Sequence, residues 1–322
     1  MALSRRATML AAAAAAAARP ARAQPPWPDR PIRFLQGFAG GGTTDIVARL
    51  IAPGLAQALG QPVVVENRPG AGGTLAAEAL ARATDHHTIM LINNGFAVSA
   101  ALYRRLPFDP LAEIAPIAML AATGLLLLVP ADGPRDMAGF LAGARARRDP
   151  WNVATVGVGS TQHFVAEALQ AEGDFRLTHV PYRGTPAAIT ALRAGEVQAV
   201  VETASAVLGQ VVSGDMRALT ITSPTRSPLL PEVPTVAEAL QKPFELETWF
   251  ALAVPARMPE VASTRLSVAL RALMADEMLR ARLLALGLVP RQPGTPQATR
   301  VAVHAEIARW AAVIERTGME RQ

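Results

Sequence analysis

The chain has 322 residues, is 51% hydrophobic, contains no cysteine and carries a formal net charge of +5. That length suits two ordinary domains, each able to bury its own core, and a cysteine-free composition fits an oxidising compartment. The charge excess sits at one end: Arg5, Arg6, Arg19 and Arg22 fall in the first 23 residues, which hold no Asp or Glu, and 27 basic residues face 26 acidic ones thereafter. With the other arginines scattered and aromatics at 5%, composition argues against a surface that tracks nucleic-acid phosphates.

Residues 1–23 have the anatomy of a secretory signal. Arg5 and Arg6 precede the apolar stretch ATMLAAAAAAAA, then come Pro20 and Ala21-Arg22-Ala23. The small-x-small pattern predicts cleavage after Ala23, and SRRATML partly matches the twin-arginine pattern. No later segment is apolar for long enough to span a bilayer, so the expectation is a soluble, exported protein without direct membrane insertion.

Next, IRFLQ (32–36) reads as a strand and TDIVARLIAPGLAQALG (44–60) as a helix, with Pro53 inside it predicting a kink that costs ~3 kcal/mol. PVVVENR is a second strand, GTLAAEALARA a second helix, and HTIMLIN a third strand ending at Asn93-Asn94-Gly95. Helices between strands predict a parallel sheet with crossovers. GLLLLVP (124–130) and TWFALAVP (248–255) are continuous apolar runs of the kind buried on both faces. Between them lie WNVATVGVGSTQHFVAEAL (strand, glycine turn, helix), the strand LTHVPYRG, the helix TPAAITALRAG and the strands VQAVVE and RALTITS. From Pro259 to Glu315 the pattern is helical, apart from an extended stretch at 288–291. The α/β reading is therefore of two blocks, the second inserted between the first and a helical tail.

No catalytic set emerges. There is no cysteine, and Ser160 lies in VGVGSTQ, which is not a nucleophile elbow. His86 and His87 are adjacent, without the spacing of a metal site, and are expected in an exposed turn. Two strand–glycine loop–helix junctions remain, GFAGGGTTD (37–45) and GVGSTQH (157–163), one in each block. Such loops lie at the carboxyl ends of parallel strands, where ligands bind, and helix N-termini there offer N–H groups to an anion. The first loop lacks the lysine of a P-loop. A dinucleotide-binding enzyme using residues 37–45 is the alternative, with Glu66 near the ~20-residue spacing of a ribose-binding acid.

The stretches WPDRPIRFLQGFAGGGTTDIVARL, GQPVVVENRPGAGGTLAAEALARA, VGVGSTQHFVAEAL, HVPYRGTPAAITALRAGEVQ, RSPLLPEVPTVAEAL and TWFALAVPARMPE together resemble the periplasmic substrate-binding proteins of tripartite tricarboxylate transporters, the Bug-type receptors. The resemblance covers nearly the whole chain after residue 23. Departures are Ala39-Gly40 where the family has prolines, Asp85-His86-His87-Thr88 where it has D-G-Y-T, Arg183 for a lysine and Gln198 for an aspartate. It implies a two-lobe, type II binding-protein architecture with two chain crossings: residues 24–124 and 249–322 as one lobe, 125–248 as the other. It also implies a monomeric receptor, without cofactor or metal, that captures a small carboxylate for membrane transporter subunits or a sensor. Expected ligand contacts are Phe38, Gly40, Gly41, Gly42, Thr43, Thr44, Asn94 and Gly95 from the first lobe. From the second come Ser160, Thr161, His163, Tyr182 and Glu202, with Ser160 and Thr161 supplying hydroxyl and backbone donors.

Overall fold

The computed structural model describes residues 27–317; the expected signal segment and its cleavage site lie outside the described residues. Strand β1 (Ile32–Gln36) leads into helix α1 (Thr43–Leu59), which continues through Pro53 as one element. Strand β2 (Val63–Asn67), a short 3-10 turn (Ala71–Gly73), helix α2 (Thr74–Ala81) and strand β3 (Thr88–Asn93) follow. β1 pairs in parallel with both β2 and β3, as the alternating pattern predicts. His87, expected to be exposed, is 6% exposed. Its ring contacts the Asp85 carbonyl (2.8 Å) and the Asp29 carboxylate (3.0 Å), which tuck it against the start of β3.

The largest departure from the sequence pattern is the next segment. Helix α3 (Asn94–Leu102) begins directly after β3, and strand β4 spans Ile114–Pro130, ten residues earlier in its start than the apolar run suggests. Ala, Thr and Pro between 114 and 123 dilute its hydropathy, yet almost all of its residues are buried. β4 is the spine of the molecule. Its residues 114–124 pair antiparallel with strand β9 (Glu247–Pro255), and residues 125–130 pair with strands β7 (Ala199–Thr203) and β8 (Met216–Ile221).

Two groups of strands thus hang on β4. One runs β2-β1-β3-β9-β4, with the two-residue strand β10 (Val289–Pro290) also on β4. The other runs from β4 to β7, then to β5 (Trp151–Thr155) and β6 (Leu177–Pro181), joined in parallel by crossover helices α5 (Thr161–Gly173) and α6 (Thr185–Arg193). Helices α4 (Met137–Ala146), α7 (Ala204–Val212) and α8 (Val236–Leu240) complete this half. Helices α9 (Glu260–Ala275), α10 (Glu277–Ala285) and α11 (Pro296–Thr317) return to the first half.

The halves touch across their shared cleft. On α11, Trp310 packs edge-on against Phe164 of α5, ring centroids 5.3 Å apart, and donates its indole N–H to Asn94 Oδ1 at 3.0 Å. Ser99 of α3 donates to the Gly159 carbonyl at 3.3 Å. Gly37 is required by the approach of two loops in the first half: a Cβ there would stand 2.6 Å from Gly73 Cα.

Candidate functional site

The cleft between the halves contains two connected chambers. The inner one, of about 20 Å3, is lined by Gly42, Thr43, Thr44 and Asn93 of the first half, by Gln162, Gly184, Thr185, Glu202 and Thr203 of the second, and by Thr248 and Phe250 on β9. The outer one, of about 510 Å3, lies between the loops 37–39 and 69–72 on one side and 156–158 and 181–184 on the other. Phe38, Ala39, Val156 and Gly184 wall both.

Three helices begin at the inner chamber, and no side chain caps any of them. α1 starts after Gly42, α6 after Gly184 and α7 after Thr203. The first N–H groups of a helix have no partner within it and carry the positive end of its dipole. Three such ends directed at one small space favour a negative group there. Gly184 has φ of 116°, and a Cβ on it would lie 2.7 Å from Ala39 Cβ across the cleft. Glycine is needed at that position for both reasons.

Asp45, in the first turn of α1, shapes the glycine loop and does not line either chamber. Its carboxylate accepts from the Gly41 N–H (3.1 Å), Arg49 Nε (2.9 Å) and Asn67 Nδ2 (2.9 Å). Burial pushes its pKa up, but the hydrogen bonds from Arg49, Gly41 and Asn67 outweigh burial and hold it below the ordinary value.

Hydroxyls connect the halves at the chamber. Thr43 Oγ1 lies 2.6 Å from Thr203 Oγ1 and 2.7 Å from Ser205 Oγ. Thr44 accepts from Asn93 Nδ2 at 3.3 Å. Glu202 is 1% exposed and accepts from Gln162 Nε2 (2.7 Å), Thr185 Oγ1 (2.6 Å), and the N–H and hydroxyl of Thr203 (2.6 and 2.9 Å).

Of the residues expected from the sequence, Phe38, Gly42, Thr43, Thr44 and Glu202 meet at the inner chamber, and Tyr182 walls the outer one. Gly40 and Gly41 flank the loop without lining either chamber; Gly41 faces Pro186 of α6 across the cleft, an ideal Cβ standing 3.7 Å from its ring. The other five stand elsewhere. Asn94 is fully buried against Trp310, and its neighbour Asn93 lines the chamber instead. Gly95 sits behind Phe38. Ser160 caps its own helix, accepting from the His163 N–H (3.2 Å) and donating to the Gly157 carbonyl (2.7 Å). Thr161 is buried with its hydroxyl unpartnered among the described residues, and neither it nor Ser160 lines a chamber. Asn93, Gln162, Thr185, Thr203 and Thr248 were not singled out from the sequence. Thr185 and Thr203 carried a usable mark, each standing where a strand gives way to a helix.

His163 stacks on His179, centroids 4.1 Å apart, and His179 is hydrogen-bonded to the Thr155 hydroxyl. Burial lowers the pKa of both rings to about 4, and His163 adds to the effect on His179. Glu167, 3.9 Å from His163, has its carboxyl pushed above the ordinary range by burial. A histidine pKa lowered by folding contributes stability that is present above the unfolded value of ~6.5 and is lost as pH falls toward the folded one. Chemical denaturation at pH 7.5 and pH 4.5 is expected to show a loss on the order of 2 kcal/mol from each ring. A H163Q/H179Q variant should lack that part of the slope; an unchanged slope would rule the pair out.

Comparison with known proteins places this geometry. Residues 47–319 match the sequence profile of the tripartite tricarboxylate transporter family receptor. The chain belongs to this family. It is 34% identical to Protein BugT of Bordetella pertussis over 296 residues, 91% of this chain and 90% of that protein. Its fold matches the periplasmic binding protein BugD at a TM-score of 0.87 with 30% identity, covering 92% of this chain and all of BugD. It also matches MatC from Rhodopseudomonas palustris with bound malate at a TM-score of 0.84 and 33% identity, covering 89% of this chain and all of MatC. The two groups of strands on β4 are therefore the lobes of the periplasmic binding-protein architecture, and the family is one of solute receptors, not enzymes. No helix among the described residues is long and apolar enough to cross a membrane.

Proposed function

We propose that this chain is an exported receptor that captures a small carboxylate between its lobes for the membrane subunits of a tripartite transporter. The observation that carries the reading is the convergence of three uncapped helix N-termini on one chamber. The first-half contacts are the α1 start at Gly42, Thr43 and Thr44, with Phe38 as wall; Glu202 and Tyr182 face them. The lobes divide at 124/125, where β4 exchanges β9 for β7 and β8 as partners, and at 248/249, near the start of β9. Malate bound to MatC supports the carboxylate class. Hydrogen bonds to a charged group contribute ~1.5–3 kcal/mol each, so five or six exceed the ~8 kcal/mol of micromolar binding even after association costs.

For the dinucleotide alternative, Glu66 already pairs with Arg33 (2.8 Å) and Arg68 (2.6 Å), and it lines neither chamber. A thermal-shift screen of the chain from Gln24 against mono-, di- and tricarboxylates and NAD tests the reading. At least one carboxylate at 100 times its Kd should stabilise the fold by about 2.7 kcal/mol. Stabilisation by NAD alone would overturn the proposal.

A further inference from the structure

A separate pocket lies at the hinge, on the side of the crossing strands away from the inner chamber. Successive residues of a strand point to opposite faces, and on β9 Thr248 lines the inner chamber while Glu247 lines this pocket. Thr203 and Ala204 divide between the two spaces in the same way. The hinge pocket measures about 410 Å3, inside the roughly 300–1,000 Å3 of small-molecule sites. Its two walls belong to different lobes. Leu284, Leu288 and Val289, around the turn between α10 and β10, form the first-lobe wall. Thr123 ties that turn to β4 by donating to the Gly287 carbonyl at 2.8 Å. Ile221 and Leu229 form the second-lobe wall. Leu229 stands in RSPLLPEVPTVAEAL, a stretch that lines neither chamber of the cleft. Arg226 stiffens its loop by donating to the Glu238 carboxylate (2.9 Å) and the Pro231 carbonyl (3.0 Å).

The lining selects the occupant, and the position fixes what it does. Leu229, Leu284 and Val289 are 38%, 51% and 45% exposed, a patch that an apolar body would cover. The two charged side chains at the pocket are already paired, Arg226 with Glu238 and Glu247 with Arg291 at 3.3 Å. Neither leaves a counter-charge for an ionic ligand. In front of the hinge the cleft is closed, with Thr43 against Thr203 and Ser205, and the crossing strands lie between the two spaces. Separating the front walls therefore brings the rear walls together. An occupant wedged between Leu284 and Leu229 opposes that motion, and linkage makes the effect reciprocal.

We propose that the hinge pocket is a second binding site, for a neutral, mainly apolar small molecule, and that its occupancy favours closure of the cleft in front. The site stands independently of what the cleft captures; only its effect on carboxylate affinity rests on the reading above.

Fluorescence titration of the chain from Gln24 tests this with N-phenyl-1-naphthylamine and its anionic counterpart, 8-anilinonaphthalene-1-sulfonate. The neutral probe is expected to bind saturably, at least 5-fold tighter than the sulfonate. Leu229→Asp and Leu284→Asp, at exposed positions on opposite walls, should each weaken it at least 10-fold, with circular dichroism confirming the fold. Gly42→Phe lies outside the pocket but props the front cleft open, and should weaken the probe at least 3-fold. A carboxylate that stabilises the protein in the thermal-shift screen should tighten the probe, and be tightened by it, by a similar factor. No saturable binding, binding that both aspartate variants leave unchanged, or displacement by the carboxylate would overturn the site. Equal affinity for the sulfonate would overturn the neutral class, and unchanged binding in Gly42→Phe would overturn the coupling. Failure of every carboxylate would remove the carboxylate reading alone, since these variants test the hinge pocket without one.

Discussion

Replacing Gly42 with phenylalanine is expected to weaken carboxylate binding at least 100-fold while leaving the fold intact. Gly42 has φ of −82° and ψ of 167°, ordinary extended backbone that any residue adopts. A Cβ there meets only Thr185 Oγ1 at 3.2 Å and the Ala39 carbonyl at 3.8 Å. The first contact is across the cleft, so a bulky side chain fills the inner chamber and holds the lobes apart. The local cost is that of an unfavourable N-cap, about 1 kcal/mol. The expected signature is a ligand-free melting temperature a few degrees below wild type, with ligand stabilisation lost. Retained binding would mean that the α1 terminus is only a turn.

Asp45→Ala is expected to destabilise the protein by about 3 kcal/mol in chemical denaturation. The substitution leaves the Gly41 N–H without its acceptor, leaves Asn67 Nδ2 with only the Phe38 carbonyl at 3.5 Å, and leaves Arg49 with only Asn67 Oδ1. Hydrogen bonds to a charged group contribute ~1.5–3 kcal/mol each, and a buried unsatisfied donor adds its own penalty. Because the folded carboxyl is held below its ordinary value, its contribution is present above the unfolded pKa of ~3.9 and is lost as pH falls through the folded one. The gap between wild type and variant should therefore be constant from pH 6 to 8 and shrink in strong acid. A gap below 1 kcal/mol at pH 7 would show that the loop does not depend on this clamp.

Much of the fold was legible because its signals are local. The crossing strands announce themselves as unbroken apolar runs at 124–130 and 248–255, and α1 by glycines followed by Thr43, Thr44 and Asp45. The early part of β4 was not legible, since Ala115, Pro116, Ala118 and Thr123 owe their burial to β9 and not to their own hydropathy. The chamber lining was more legible on the first half than on the second. Glycine and threonine before α1 mark a helix start whatever the tertiary structure. Ser160 and Thr161 carry the same mark, but Ser160 satisfies its own helix and the chamber lies elsewhere. The Asn93–Asn94 pair shows how little separates the two outcomes. Their side chains diverge at the end of β3, so Asn93 meets the chamber and Asn94 is buried against Trp310. Glu202 was singled out because it ends a strand; beside the two donors of the adjacent Thr203, those of Gln162 and Thr185 come from two other helices and leave no trace in the local sequence.

The most direct test of the whole account is amide NMR of the exported form, titrated with the carboxylate that gives the largest thermal shift in the screen. The largest chemical-shift changes are expected at the N–H groups of Gly42, Thr43 and Thr44, with Thr185 and Thr203 responding across the cleft. Saturation of the protein with those five amides unmoved would contradict it.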